Sequence, residues 1–262
     1  MAASEDGILY DDRMIRFLEI VWGEGYLSPG GPGAVDAIVD GLDLSGKRVL
    51  DIGCGSGGVT LHLAKRFAPG HITGLDVEAP VLDKARERAE AAGLSDRVTF
   101  TQVEPGPLPF ADGSFDLVFS KDAIVHIADK ETLFVDIARM TVSGGWFAAS
   151  DWMIGHDGPP SETMARYIAA EGLDFGMASP ARYETAMRAA GFSDIQVVDR
   201  NPWYREHART EVAKMEGPLY SVAADAVGKD YVDEQIALWR KMIEVLDLGE
   251  HRPTFIRGRK SL

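Results

Sequence analysis

R-V-L-D-I-G-C-G-S-G-G, Arg48 to Gly58, carries an apolar strand into an acidic residue and then a glycine-rich turn. A helix-forming run, Val59 to Phe67, follows at once. Strand, glycine turn and helix N-terminus together predict a nucleotide-sized crevice, because glycines let a ligand approach the backbone and the first helical amides face it.

Gly53, Gly55 and Gly58 satisfy the G-x-G-x-x-G spacing that dinucleotide enzymes also use, so the spacing alone does not choose the ligand. Asp51 does. A carboxylate just before the first glycine would face a doubly charged pyrophosphate, and like charges in a partly dry crevice repel by several kcal/mol. S-adenosylmethionine has no phosphate, and its sulfonium and ammonium are cationic, so Asp51 would either attract it or organise the loop that holds it. The next strand, His71 to Val77, contains Asp76 where a ribose-binding acid is expected, the alternative being a helix N-cap or loop acid. A third strand, Val98 to Val103, leads to Glu104, and a fourth, Phe115 to Phe119, leads into S-K-D-A-I-V-H-I. Strands alternating with helical patterns predict a parallel sheet whose carboxyl ends carry the ligand, and Asp51, Asp76, Glu104 and Asp122 all fall at such ends. With these residues the chain resembles a class I S-adenosylmethionine-dependent methyltransferase. The resemblance implies an α/β fold: a Rossmann-like, doubly wound, seven-stranded, mostly parallel sheet with an N-terminal helical segment and a lid insertion.

The 262 residues, 45% of them hydrophobic, suffice for one sizeable core and a small lid, so one domain is expected over 1–262. Within it, 1–45 holds N-terminal helices and a glycine loop, 46–151 the cofactor half, 152–182 the lid, and 183–262 the last strands and helix. A net charge of −14 argues against nucleic acid as substrate, since phosphate binding needs a basic stripe, and mildly favours a small cationic acceptor. The single cysteine, Cys54, excludes an internal disulfide and a cysteine zinc site; it reads as a small buried residue, or else an oxidation-sensitive one. M-A-A-S-E-D-G at the N-terminus has no leader character and no run is long enough for a membrane span, which predicts a cytoplasmic protein. His62, His71, His156, His207 and His251 form no ligand spacing, and no metal is expected. Oligomeric state is not legible.

Asp11 to Trp22 reads as an amphipathic helix with Met14, Phe17, Leu18 and Val21 at helical spacing. The loop G-E-G-Y-L-S-P-G-G-P-G after it is a flexible connection or, preferably, a ligand clamp. A helix over Gly33 to Leu42 precedes the first strand. A Gly144-Gly145 turn introduces a fifth strand, Trp146 to Ser150, followed by the lid with a helix at Glu162 to Glu171. A helix at Pro180 to Ala190, a strand at Ile195 to Val198, a long helix at Asp230 to Leu246 and an extended segment at Thr254 to Arg257 complete the pattern.

Three segments carry a narrower resemblance. W-G-E-G-Y-L-S-P-G-G (Trp22 to Gly31), V-L-D-I-G-C-G-S-G-G (Val49 to Gly58) and F-D-L-V-F-S-K-D-A-I-V-H-I (Phe115 to Ile127) look like the phosphoethanolamine N-methyltransferase family, the first and third being the more specific. The resemblance implies that Ser28 contacts the cofactor's carboxylate end, Gly53 its methionine portion, Asp76 its ribose and Glu104 its adenine. Asp51, Gly55, Val77, Ser120 and Lys121 complete the expected cofactor set. It also implies a catalytic pair, Tyr10 and His126, and acceptor contacts from Asp122, Trp152, Phe175 and Lys241.

The chemistry of these residue types agrees. Methyl transfer to nitrogen needs a neutral amine, and a histidine can accept the proton while a tyrosine closes the site or presents its aromatic face to a methylated ammonium. The acceptor pocket departs from the family. A tyrosine expected after the fifth strand is Trp152, lid positions fall near Leu173 and Phe175, and only Lys241 is kept, with Arg166, Tyr167 and Arg182 as the residues that would compensate. One lysine neutralises a phosphate dianion poorly, so a carboxylate-bearing amine competes with phosphoethanolamine as acceptor. S-methylation of a thioether or thiol such as methionine is the rival reaction. Non-catalytic binding of S-adenosylmethionine and a dinucleotide oxidoreductase are the readings from other classes.

Overall fold

Side chains on successive strand residues point to opposite faces, and the sheet's two cores follow that alternation. In the computed structural model, which describes residues 10–173 and 175–262, Val49, Leu117 and Phe119 enter one cluster while Leu50, Ile52 and Val118 enter another. The M-A-A-S-E-D-G segment lies outside the described residues. The first cluster is covered by α2 (Gly31–Ile38), α3 (Gly58–Phe67) and α4 (Ala79–Ala91), the second by α5 (Lys130–Met140) and α7 (Pro180–Ala189).

The strands are β1 (Arg48–Ile52), β2 (His71–Asp76), β3 (Val98–Gln102), β4 (Phe115–Lys121), β5 (Thr141–Ile154), β6 (Phe192–Asp199) and β7 (His251–Lys260). They form a seven-stranded sheet in the order β3-β2-β1-β4-β5-β7-β6. β7 runs antiparallel to both β5 and β6, and the other pairings are parallel. The chain order reverses between β1 and β4, which pair from Val49↔Leu117 to Ile52↔Ser120. A ligand crevice is expected beyond the carboxyl ends of those two strands. A cleft of about 360 Å³ lined by Leu44, Asp116, Val142 and Arg259 opens instead at the strands' amino ends, away from that crevice.

Sequence expectations change at several elements: α2 ends at Ile38 rather than Leu42, and β5 and β6 extend beyond Trp146 to Ser150 and Ile195 to Val198. Gly144 and Gly145 lie inside β5 rather than before it, with Gly144 at φ 75° and a register shift between Phe115 and Leu117 absorbing the irregularity. The last strand is longer than expected, spanning β7 rather than Thr254 to Arg257 alone. Residues 201–227, which the sequence pattern left unassigned, form α8 (Asn201–Glu216) and α9 (Tyr220–Val227). Buried polar residues on α8, Asn201 and Glu211, interrupt the apolar periodicity by which a helix is recognised.

α8 and α9 join α1 (Asp12–Trp22), α6 (Glu162–Glu171) and α10 (Lys229–Asp247) in a third core cluster, where Phe17, Met164, Tyr204 and Trp239 are buried together. Glu211, 2% exposed, ties three of these helices. It accepts from Trp22 Nε1 at 2.6 Å, Trp239 Nε1 at 3.0 Å and the Tyr204 hydroxyl at 3.2 Å. Each indole N–H buried there thereby has an acceptor, without which it would cost about 1–3 kcal/mol. Among the described residues no helix is long and apolar enough to cross a membrane.

Candidate active site

The glycine turn is built by backbone conformations that other residues avoid: φ is 71° at Gly53, 51° at Gly55 and 90° at Gly57. A Cβ on Gly53 would stand 2.1 Å from the Cβ of Ala123, so the end of β1 and the exit of β4 touch through bare backbone. Asp51, 1% exposed, accepts from Thr60 Oγ1 at 2.6 Å and so fastens β1 to the first turn of α3. Of its two sequence readings, this geometry fits the organiser of the loop. Asp76 accepts from the Gly55 amide at 2.9 Å on one oxygen and the Glu78 amide at 3.0 Å on the other. It is a loop acid in this respect, and each oxygen still has a lone pair for a hydroxyl donor.

Burial pushes the Asp51 carboxyl up to about 7, nearby Asp76 adds to the rise, and Thr60 and Lys121 oppose it. Because the folded state then holds this proton more tightly than the unfolded chain, the group's contribution to stability falls as pH rises from 3.8 to about 7 and stays low above that. Asp51→Asn is therefore expected to raise the melting temperature of the ligand-free protein at pH 8, by at most about 4 kcal/mol of stability, with the gap closing toward pH 4. Thermal melts of both proteins across that range check it; a gap independent of pH would show that the buried charge is not its source.

The N-terminal loop docks on this turn. The Gly58 amide donates to Gly25 O at 3.0 Å, so close that a Cβ on Gly58 would lie 2.4 Å from that oxygen. Glu19 accepts from the Gly25 amide at 3.1 Å and Ser56 Oγ at 3.0 Å, and Arg88 bridges Glu19 and Ser56 O. Sequence reading missed Glu19 and Arg88, which look like surface charges on amphipathic helices. Further along the loop, buried Lys121 donates to Ser28 Oγ at 2.6 Å, Pro29 O at 2.8 Å and Asp122 Oδ2 at 2.8 Å. The Ser28 hydroxyl accepts there and keeps its own hydrogen to donate.

Asp122 adopts φ 58°, a left-handed conformation that a non-glycine residue holds only when its surroundings impose it. Its amide donates to Ser150 O at 2.8 Å and its Oδ1 accepts from Ser150 Oγ at 2.5 Å. A single 3₁₀ turn, Ile124–His126, follows. His126 Nδ1 lies 2.8 Å from Leu173 O. A carbonyl only accepts, so Nδ1 carries a hydrogen and the lone pair of a neutral ring is on Nε2. The Phe175 ring is 5.5 Å from the imidazole.

Tyr10, half-buried before α1, packs against both the sheet cluster and the helical cluster. Burial holds its phenol well above the ordinary range, and the charges of Asp76, Glu171, Asp122 and Glu78 reinforce this. It is a neutral hydrogen-bond donor, not a base. The fold thus brings Tyr10 within electrostatic reach of an acid from the cofactor side and one from the acceptor side, although they are far apart in sequence.

Trp152 stacks on His251 at 5.2 Å and meets Tyr204 at 5.1 Å, with Tyr167 also against His251 at 5.4 Å. Burial lowers the His251 imidazole to about 4, keeping it neutral. At the end of α6, Glu171 is pushed up to about 7 by burial, with the Tyr167 hydroxyl opposing. Neither His251 nor Glu171 was singled out from sequence, because nothing local separates them from a packed histidine and a helix-surface acid. Ser120 is fully buried and its hydroxyl donates to Ile52 O at 2.8 Å, tying β4 to β1. Val77, Glu104 and Lys241 are exposed. Arg166 is exposed beside Thr163, and Arg182 is taken up by Glu131 at 2.9 and 2.7 Å, so neither is drawn into the aromatic group. No cluster of three or more potential metal ligands occurs among the described residues.

These residues fit S-adenosylmethionine: backbone left bare at Gly53, acids at the strand ends for a cationic ligand with hydroxyls, and a docked loop over the turn. A family model described as a methyltransferase domain matches residues 43–172. The fold and the site are of the kind found in class I methyltransferases, and residues 43–172 match that domain. Within that class the chain is similar to phosphoethanolamine N-methyltransferase 1 of Triticum aestivum, 32% identical over 248 residues that cover 94% of this chain and 48% of that protein. It also resembles the solved structure of phosphoethanolamine N-methyltransferase 2 of Haemonchus contortus in complex with phosphomonomethylethanolamine and S-adenosylhomocysteine. That match has a TM-score of 0.89 and 28% identity, covering 98% of this chain and 60% of that one. A putative sarcosine dimethylglycine methyltransferase from Galdieria sulphuraria shares the fold, with a TM-score of 0.82, 21% identity, and coverage of 95% and 97%. The chain spans about half the length of the plant relatives it matches.

Proposed function

We propose that this chain transfers a methyl group from S-adenosylmethionine to the nitrogen of a small amine. The observation that carries this reading is His126, whose Nδ1–H is anchored on Leu173 O so that its basic nitrogen is defined, in the strand exit that also holds Asp122. The donor supplies an electrophilic methyl carbon. Asp122 attracts the protonated amine, His126 Nε2 accepts its proton directly or through water, and Tyr10 donates a hydrogen bond at the mouth of the site. The segment between β5 and α7, with α6, acts as a lid that excludes water, and the loop of Ser28 closes the cofactor side. Orientation of amine and methyl along one line accounts for about 7–11 kcal/mol of the barrier.

The acceptor's remaining part meets Trp152, Tyr167 and Phe175, with Asp122 and Glu171 nearby. Kinship points to phosphoethanolamine or its methylated forms. Pocket chemistry favours an amine without a phosphate dianion, because Arg182 is engaged elsewhere and Lys241 is exposed. The acidic chain, −14 overall, speaks against nucleic acid, and the single free cysteine suits a reducing, cytoplasmic setting.

The test is a panel of phosphoethanolamine, ethanolamine, glycine, its N-methyl derivatives and methionine, incubated with labelled S-adenosylmethionine and scored by mass spectrometry. An N-methylated product is the expected result. Methylation of methionine sulfur alone would replace the amine reading, and stabilisation by S-adenosylhomocysteine without any transfer would indicate a non-catalytic binder.

A further inference from the structure

Behind the turn that carries His126 lies a buried pair of opposite charges for which the reaction described above has no use. Lys130 and Asp151 are each 0% exposed. The Lys130 ammonium donates to Ile124 O at 2.7 Å and Ile127 O at 2.5 Å, and lies 5.1 Å from the centre of the Tyr183 ring. Asp151 Oδ1 accepts from the Val125 amide at 3.1 Å, while its other oxygen accepts from the Tyr183 hydroxyl. We infer that Lys130 and Asp151, with Tyr183, are positioning residues that fix the orientation of the His126 ring. The inference rests on the reading of His126 as the group that accepts the amine proton.

A buried pair of charges is a costly way to stabilise a core, since well-packed apolar residues of similar volume often do as well or better. What an apolar pair could not do is hold backbone groups of one short turn at named points. The 3₁₀ turn Ile124–His126 is only three residues long and makes few bonds of its own. From one side Lys130 holds Ile124 O and Ile127 O while Asp151 holds the Val125 amide. From the other, Val125 O accepts from the Gly176 amide at 2.8 Å and His126 itself reaches Leu173 O. Burial pushes the Asp151 carboxyl up and the Lys130 ammonium down, but each charge favours the ionised form of the other. The ring is therefore set between the carbonyl of Leu173 and a clamp supplied by α5, β5 and α7. A displacement of about 1 Å at such a point can cost about a hundredfold in rate.

The direct measurement is nitrogen NMR of the histidine rings in the whole protein, with His126 assigned from the signals missing in His126→Ala. In the wild type a neutral His126 should carry its hydrogen on Nδ1. In Lys130→Met the His126 signals should move toward a mixture with hydrogen on Nε2 and broaden, while the other histidines stay unchanged. A His126 that keeps its wild-type tautomer and line width in folded Lys130→Met overturns the inference. Should Lys130→Met not fold, Tyr183→Phe, which removes only a hydroxyl, is read in the same way: a shift confined to His126 supports the clamp, and none overturns it. Turnover separates this from the reading it rests on. If His126→Ala loses less than about tenfold, the proton-accepting role fails whatever the spectra show. If it loses more, Lys130→Met should add almost nothing in the His126→Ala background; an equal loss in both backgrounds marks Lys130 as merely structural.

Discussion

Replacing His126 by alanine is expected to lower turnover of an amine acceptor by about 10²–10⁴, the usual contribution of a positioned acid or base. Affinity for S-adenosylhomocysteine should stay within a few-fold, because His126 is tied to Leu173 O and Phe175, which belong to the segment after α6. The effect should appear in kcat and in kcat/KM for the acceptor alike, the signature of a group whose contribution is made in the transition state. Acceptor chemistry sharpens the prediction. An ammonium must lose a proton before its nitrogen can attack, whereas a thioether sulfur has none to lose. Losses below about tenfold with an amine would remove His126 as the proton acceptor, and the site would then be described by Asp122 and orientation alone. Tyr10 does not rescue the base role, since its phenol stays protonated among Asp76, Glu171 and Asp122.

The second large effect is on stability. Gly53→Ala puts a side chain into a left-handed backbone position at φ 71° and drives its Cβ to within 2.1 Å of the Cβ of Ala123. The conformation costs about 1–2 kcal/mol, and the forced separation of two packed segments about 1–3 more. The ligand-free protein should lose about 2–5 kcal/mol, which for a domain of this size lowers the melting temperature by roughly 5–15 °C. Gly93→Ala is the control: φ is 65° there too, but no atom lies within 4 Å of the added Cβ. It should pay only the conformational part. Equal melting of the two variants would mean that β1 and the exit of β4 do not meet as closely as described. Because Ala123 stands three residues before His126, Gly53→Ala should also reduce turnover of whatever protein remains folded.

The two variants mark different levels of the molecule. Gly53 stood out in the sequence because a glycine turn after an apolar strand has one common use. His126 stood out only through a motif, since a lone histidine after a strand has many. The structure gives both a physical setting, and adds residues that neither route reached. Glu171 beside Tyr167, His251 under Trp152, Glu19 beneath the glycine loop and Lys130 behind His126 carry charges or rings that look ordinary in sequence.

What the sequence determined by itself is everything that depends on backbone preference and on short periods. Short apolar runs define β1 to β4; the glycines between 53 and 58 make a turn open to residues tolerant of positive φ; and acids at strand ends follow once those strands are known. These are local properties, decided within a few residues. Tertiary structure alone decided the long-range partnerships: Lys121 with the loop of Ser28, His126 with Leu173, and Glu211 with both Trp22 and Trp239. The reason is that a charged or aromatic side chain on an amphipathic helix has the same local pattern whether it faces water or a partner many residues away. Only the packing of sheet, helices and loop against one another removes the water and chooses the partner.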